Sequence, residues 1–259
     1  MINFESKYKD LLRTVLEEGD TIEGRNGTTI QLSGRQLRAN LKDGFPLVTS
    51  KKIFPKSVFV ETQWILEGRT CVYWLNQHGV KIWDQWADQN GELGPVYGKQ
   101  LRDFNGVDQL TKLIENAKKD INSRRLLISM WNPLEVDDMN LPPCHYSWQI
   151  VHSDGYLDII VSMRSLDLFV GAPYDIAMYA TILSSICEEL NLIPREVIIN
   201  AASTHIYSDH IDAVLEYLSV NQFPLPELLE VPKISNFKAS EVILSEYKSN
   251  KRLKVKIHK

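Results

Sequence analysis

Leu-Pro-Pro-Cys-His-Tyr-Ser-Trp-Gln-Ile-Val-His-Ser-Asp-Gly-Tyr-Leu-Asp-Ile-Ile-Val-Ser-Met-Arg-Ser (141–165) places two strand-forming runs around one turn. His145–Val151 and Leu157–Met163 flank Ser-Asp-Gly, which predicts a β-hairpin. With Asp154 and Gly155 as a two-residue turn, Ser153 opposes Tyr156. Counting back then sets Cys144 beside Ser165, with Arg164 one step away. A lone cysteine is more often a small buried apolar residue than a nucleophile. Here two prolines give it a rigid approach to the strand. Successive strand residues point to opposite faces, so Cys144 and His145 are poorly placed to act as nucleophile and base. Arg164 closes an apolar strand, and a fixed guanidinium there lowers a thiol's pKa or grips a phosphate through two parallel hydrogen bonds.

Outward from the hairpin, elements of both kinds appear without regular βαβ alternation, which favours an α+β fold over all 259 residues as a single domain. Phe4, Tyr8, Leu11, Leu12, Val15 and Leu16 recur at helical spacing, predicting a helix over 4–18 that ends at Gly19. Further helices are expected at Val58–Leu66, Val107–Lys118 and Ile176–Leu190. Strands are expected at Thr28–Leu32, Leu126–Trp131 and Val197–Ala202. Leu253, Val255 and Ile257 alternate with Lys254, Lys256 and His258, which reads as an edge strand with a solvated cationic face. The composition is ordinary for a globular protein, 44% hydrophobic and 24% charged. A net charge of −4 provides no positive field for DNA. Cys71, Cys144 and Cys187 are too few and scattered for a disulfide framework or a zinc site, so no metal and a cytoplasmic location are expected. No apolar run is long enough for a membrane span or a signal core.

Other chemistry-bearing residues are weak signals one at a time. Arg25 lies in Gly-Arg-Asn-Gly, and Arg124 and Arg125 follow Asn122-Ser123. A solvated loop arginine is the default reading, and spacing does not show whether these converge on one anion. Glu61 interrupts an apolar helix, where an acid is either on the polar face or buried with a partner. Trp83, Trp86 and Tyr97 flank Asp84, Asp88 and Gly94-Pro95, as packing aromatics or as a wall for a planar ring.

Taken together, these segments resemble the thymidylate synthases. The resemblance is carried by 141–149, by Ile-Trp-Asp-Gln-Trp-Ala-Asp with Leu-Gly-Pro-Val-Tyr-Gly-Lys-Gln (82–100), and by Asn-Ser-Arg-Arg (122–125). Asp-Gly-Phe-Pro-Leu-Val-Thr (43–49), Thr-His-Ile-Tyr-Ser-Asp-His (204–210) and Met-Arg-Ser-Leu-Asp-Leu-Phe-Val-Gly-Ala-Pro-Tyr-Asp-Ile-Ala (163–177) complete it. It runs in the family's order from the first helix to about residue 245. The resemblance implies a mixed sheet surrounded by helices, with the sheet face forming a homodimer interface and shared active sites. It implies a pyrimidine nucleoside monophosphate substrate and 5,10-methylenetetrahydrofolate as co-substrate. Cys144 matches the nucleophile that adds to C6, and Glu61 the proton-relay acid. Arg124 and Arg125 match arginines that reach the neighbouring subunit's nucleotide phosphate, meeting that subunit's Arg25, Arg164 and Ser165. His205 and Tyr207 match residues that hold the sugar hydroxyl. Trp83, Trp86, Asp167 and Gly171 match folate-side or base-side positions, Asp167 being at the place of the pterin-contacting carboxylate.

Two positions depart from that pattern. Asp175 stands where thymidylate synthases usually carry Asn, and Met163 where they usually carry Gln; both resemble deoxycytidylate and cytidylate hydroxymethylases. An amide suits uracil, whereas a carboxylate accepts from the cytosine 4-amino group and can share a proton with N3. Asp175 also stands near the start of a helix, where Asp is a favoured N-cap. The basic end, Lys-Val-Lys-Ile-His-Lys, replaces the family's short apolar closing tail, and a wetter site favours water over hydride as the quenching nucleophile. The sequence therefore implies a (deoxy)cytidylate 5-hydroxymethyltransferase. Alternatives are a thymidylate synthase with an unusual Asp, or a catalytically silent nucleotide- or RNA-binding relative.

Overall fold

In the computed structural model, which describes residues 3–258, the hairpin lies within a mixed seven-stranded sheet. Its strands are β1 (Asp20–Gly24), β2 (Gly27–Asn40), β3 (Leu127–Ser129), β4 (His145–Ser153), β5 (Tyr156–Met163), β6 (Leu166–Asp167) and β7 (Ile193–Tyr207). The order is β1-β2-β7-β5-β4-β3, with β6 paired to β7. The β5–β7 and β6–β7 pairs are parallel and the others antiparallel. A two-stranded ribbon pairs β8 (Leu228–Glu230) with β9 (Ile243–Leu244). The helices are α1 (Phe4–Glu18), α2 (Pro55–Leu66), α3 (Val72–Gln77), α4 (Tyr97–Arg102), α5 (Gln109–Lys119), α6 (Ala172–Leu190) and α7 (Ile211–Ser219). No described helix is long and apolar enough to cross a membrane.

The α1 helix starts where Asn3 accepts from Ser6 N at 3.1 Å, a cap worth about 1 kcal/mol. It buries Phe4, Tyr8, Leu12 and Val15. The α6 helix is apolar on nearly all sides and is buried from Ile176 to Cys187. Leu157, Ile159 and Val161 of β5 are fully buried, as are Val197 and Ile199 of β7. At the tip of the hairpin Asp154 (φ +51°) and Gly155 (φ +79°) make the left-handed pair that a two-residue turn requires, and Ser153 opposes Tyr156.

Four readings change in the structure. A β-bulge between His145 and Ser147 shifts the hairpin by one residue, so Cys144 faces Arg164, whose N–H donates to the Cys144 carbonyl at 2.9 Å, and not Ser165. The Thr28–Leu32 strand is only the start of the 14-residue β2, whose polar second half pairs along β7. Asp175 is not a helix cap: Gly171 holds that position, and Asp175 N–H donates to Gly171 O at 3.0 Å. The basic segment 247–258 forms no strand. It runs back over the body, with Asn250 N–H donating to Thr49 O at 2.8 Å.

Candidate active site

Cys144 lies just before β4, half-buried, where the Pro142-Pro143 approach meets the bulge. Its backbone N–H donates to the Tyr97 hydroxyl at 2.8 Å. Arg164 is locked by the carbonyls of Pro143 (Nε, 2.9 Å) and Pro142 (Nη2, 2.7 Å), and Nη2 lies 3.8 Å from Cys144 Sγ. The prolines thus fix the guanidinium as well as the thiol. Burial nevertheless raises the Cys144 pKa; Arg164 pulls it down, while Asp175 and Asp167 push it up. The expectation of a net lowering by Arg164 fails here because desolvation and two acids outweigh the guanidinium and the Tyr97 hydroxyl together. A bound anionic ligand contacting Arg164 would weaken that pull further, so thiolate formation needs a base or proton relay close by.

His145 does not pair with Cys144. It stacks on Tyr97 with centroids 4.2 Å apart, and its Nδ1 is 2.7 Å from the Tyr179 hydroxyl. Burial lowers its pKa to about 3, so it remains a neutral ring.

Asp175 on α6 and Asp167 on β6 act on the thiol, and Glu61 on α2 acts on Asp175. Glu61, on α2, accepts from Trp83 Nε1 at 2.7 Å. Burial pushes its carboxyl up to about 7 and the Trp83 hydrogen bond opposes the rise. A group titrating there takes and returns protons at neutral pH. Asp175, one turn into α6, is raised well above its usual value by burial, then by Glu61 and Asp167. Asp167, at the end of β6, accepts from the N–H groups of Phe169 (3.1 Å) and Val170 (2.9 Å). The backbone at Gly171 passes so close that a Cβ would sit 3.4 Å from Asp175 Oδ2. Trp83 packs against Tyr97 and Trp86 at 5.7 and 5.5 Å between centroids. Trp86 Nε1 is buried with no hydrogen-bond partner, a donor available to a ligand.

The β7 strand ends with His205 and Tyr207, both buried and in edge contact at 5.3 Å between centroids. Burial lowers the His205 pKa and raises that of Tyr207. Leu168 N–H donates to His205 O at 2.8 Å, tying this end of β7 to the Asp167 turn. Ser165 is half-buried, adjacent to Arg164. Arg25 is exposed in the β1–β2 turn. The chain does not bring Arg124 and Arg125 to its own Cys144: both are exposed before β3, where Gln149 donates to Arg124 O at 3.2 Å, well along β4 from the thiol.

Sequence reasoning missed two features. Lys51 is buried, donates to Phe169 O and lies 3.7 Å from that ring's centroid, and burial lowers its pKa to about 7. It sits beside Lys52 in the sequence, so its burial had no local signal. His258 stacks on Tyr207 at 3.8 Å, a contact between residues far apart in the chain.

Among comparisons with known proteins, the family model described as thymidylate synthase matches residues 6–259.

Proposed function

Since this chain belongs to the thymidylate synthase family, whose members transfer a one-carbon unit from methylenetetrahydrofolate to a pyrimidine nucleotide, we propose that it is a (deoxy)cytidylate 5-hydroxymethyltransferase. The carrying observation is Asp175: a buried carboxyl, within electrostatic reach of Cys144, Glu61 and Asp167, that keeps both cytosine hydrogen bonds once its proton passes to N3, where uracil would lose one and an amide would suit it. Held protonated, it donates to cytosine N3 and accepts from the 4-amino group; after giving that proton to N3 it still accepts from both.

In this reading the Cys144 thiolate adds to C6 of the base, which makes C5 nucleophilic toward the methylene carbon carried by folate. Glu61 relays protons. Loss of the C5 proton and departure of tetrahydrofolate leave an exocyclic methylene, and water adds to it as the Cys144–C6 bond breaks. Arg164, Arg25 and Ser165 hold the phosphate, and His205 and Tyr207 the sugar hydroxyl. Trp83, Trp86, Asp167 and Gly171 line the folate side. Deoxycytidylate is the preferred nucleotide, and residues 1–259 act as one catalytic domain.

Arg124 and Arg125 serve the neighbouring subunit's phosphate in a homodimer. A row across the sheet supports that arrangement: Arg38, Ile198, Ile160, Gln149 and Leu127 are consecutive cross-strand partners. Leu127 is 50% exposed, and the half-exposed face around it suits a second copy. Incubation with methylenetetrahydrofolate and C5-tritiated dCMP, CMP or dUMP tests the reading. Tritium release from dCMP or CMP above that from dUMP is expected, and release from dUMP alone would replace it with thymidylate synthesis.

A further inference from the structure

Segment 247–258 ends against the nucleotide side of the site. His210 Nε2 lies 2.8 Å from Lys256 O, and His258 enters a seat between the β1–β2 turn and the end of β7. Its ring lies on Tyr207, 3.8 Å between centroids and 8° between planes. Nδ1 is 2.8 Å from Asn26 O. A carbonyl only accepts, so Nδ1 carries a hydrogen. Nε2 is 2.9 and 3.0 Å from the two oxygens of Asp209. A neutral ring with its hydrogen on Nδ1 would turn a lone pair toward a carboxylate at contact distance. The arrangement is satisfied when Nε2 is protonated too, giving an imidazolium that donates to Asn26 on one side and Asp209 on the other. Gly27, at φ +135°, makes the seat possible, since a Cβ there would stand 3.3 Å from the ring.

The groups facing His258 are Asp209 and His210 beyond β7, Tyr207 on β7, and Asn26 in the β1–β2 turn. Burial pushes the Asp209 carboxyl up, but the hydrogen bond and charge of His258, with His210, hold it below its usual range. Ligand atoms of Asp209, His210 and His258 lie within 4.8 Å of one another. His210 Nε2, however, gives its hydrogen to Lys256 O, so that nitrogen has no lone pair to offer an ion.

We propose that His258 is a positioning residue: as an imidazolium it straps segment 247–258 across Tyr207 and fixes the Asn26 turn, and so places the adjacent Arg25 for the nucleotide phosphate. This rests on the nucleotide site proposed above. An exposed arginine on an untethered turn loses freedom when it binds; a tethered one has already lost it. One charge-assisted hydrogen bond shifts such an ordering equilibrium by about tenfold to a hundredfold.

The test uses the full chain with His258→Phe, which keeps the stacking face, His258→Gln, which keeps a donor without charge, and Asp209→Asn. Amide exchange over residues 24–28 should speed up by about tenfold in His258→Phe and Asp209→Asn and by less in His258→Gln. The nucleotide KM should rise by about the same factor with kcat within about twofold. In wild type, KM should rise at the acid end, as Asp209 is protonated, and Asp209→Asn should lack that rise. Unchanged exchange and KM overturn the strap. If no nucleotide is turned over, the nucleotide reading fails on its own and exchange decides the strap: faster exchange sustains it, unchanged exchange overturns it.

Discussion

Replacement of Asp175 by Asn isolates the group that reads the base. Burial, Glu61 and Asp167 hold the Asp175 carboxyl protonated well above the usual carboxylate range. As a neutral acid it offers one O–H and one carbonyl, which complement cytosine (hydrogen to N3, acceptor for the amino group) and equally uracil (hydrogen to O4, acceptor for N3–H). Once the proton has gone, the two bases differ. Cytosine N3 can take up the proton the carboxyl releases and keep both hydrogen bonds, whereas uracil O4 is left facing an acceptor. A buried acceptor left without its hydrogen bond costs about 1–3 kcal/mol, a factor of roughly tenfold to a hundredfold in specificity. The preference for dCMP over dUMP should therefore widen as pH rises through the Asp175 ionisation. In Asp175→Asn nothing ionises, so the pH dependence should vanish and the ratio should move toward dUMP by that same factor. The side chains are nearly isosteric, and an unchanged Tm confirms that the fold is kept. Tritium release from C5-labelled dCMP and dUMP in competition, over a pH series, measures the ratio directly. A wild-type ratio flat with pH, or one unmoved by the substitution, refutes the argument.

Cys144→Ser should abolish turnover, with nucleotide binding retained by calorimetry, because an alcohol is far less nucleophilic than a thiolate at neutral pH; near wild-type product formation removes Cys144 from its role. Mixing an inactive Arg124→Ala/Arg125→Ala chain with an inactive Cys144→Ala chain should restore activity, since one site of the mixed dimer escapes both lesions; subunit exchange without recovery contradicts the shared site. The kcat profile should show an ionisation near 7 belonging to Glu61. Glu61→Gln should remove it, and Trp83→Phe, which deletes a hydrogen bond that lowers the Glu61 pKa, should move it to higher pH.

Local signals carried the hairpin, the α1 helix and α6, because alternation, helical spacing and an Asp-Gly turn act over a few residues. The bulge at Tyr146 was not legible: its cost and its benefit lie in how Cys144 and Arg164 meet the proline carbonyls. The alternation of Leu253, Val255 and Ile257 resembled a strand, yet backbone groups of that segment bond to Lys52 and His210 instead of to an edge. Residue identity located Cys144 and Glu61 as candidates and the family resemblance added Asp175, but neither gave their protonation. Desolvation decides that, and it arises from α2, α6 and the Trp83–Tyr97 wall packing together. A fixed Arg164 did not imply a lowered thiol pKa, because the opposing acids come from other segments.

The most direct test of the account is the mass of the product formed from methylenetetrahydrofolate with dCMP, CMP and dUMP in separate incubations. A dCMP product heavier by one CH2O unit, absent with Cys144→Ser, is the predicted result. A dUMP product heavier by one CH2 unit, with dCMP and CMP unchanged, would contradict it.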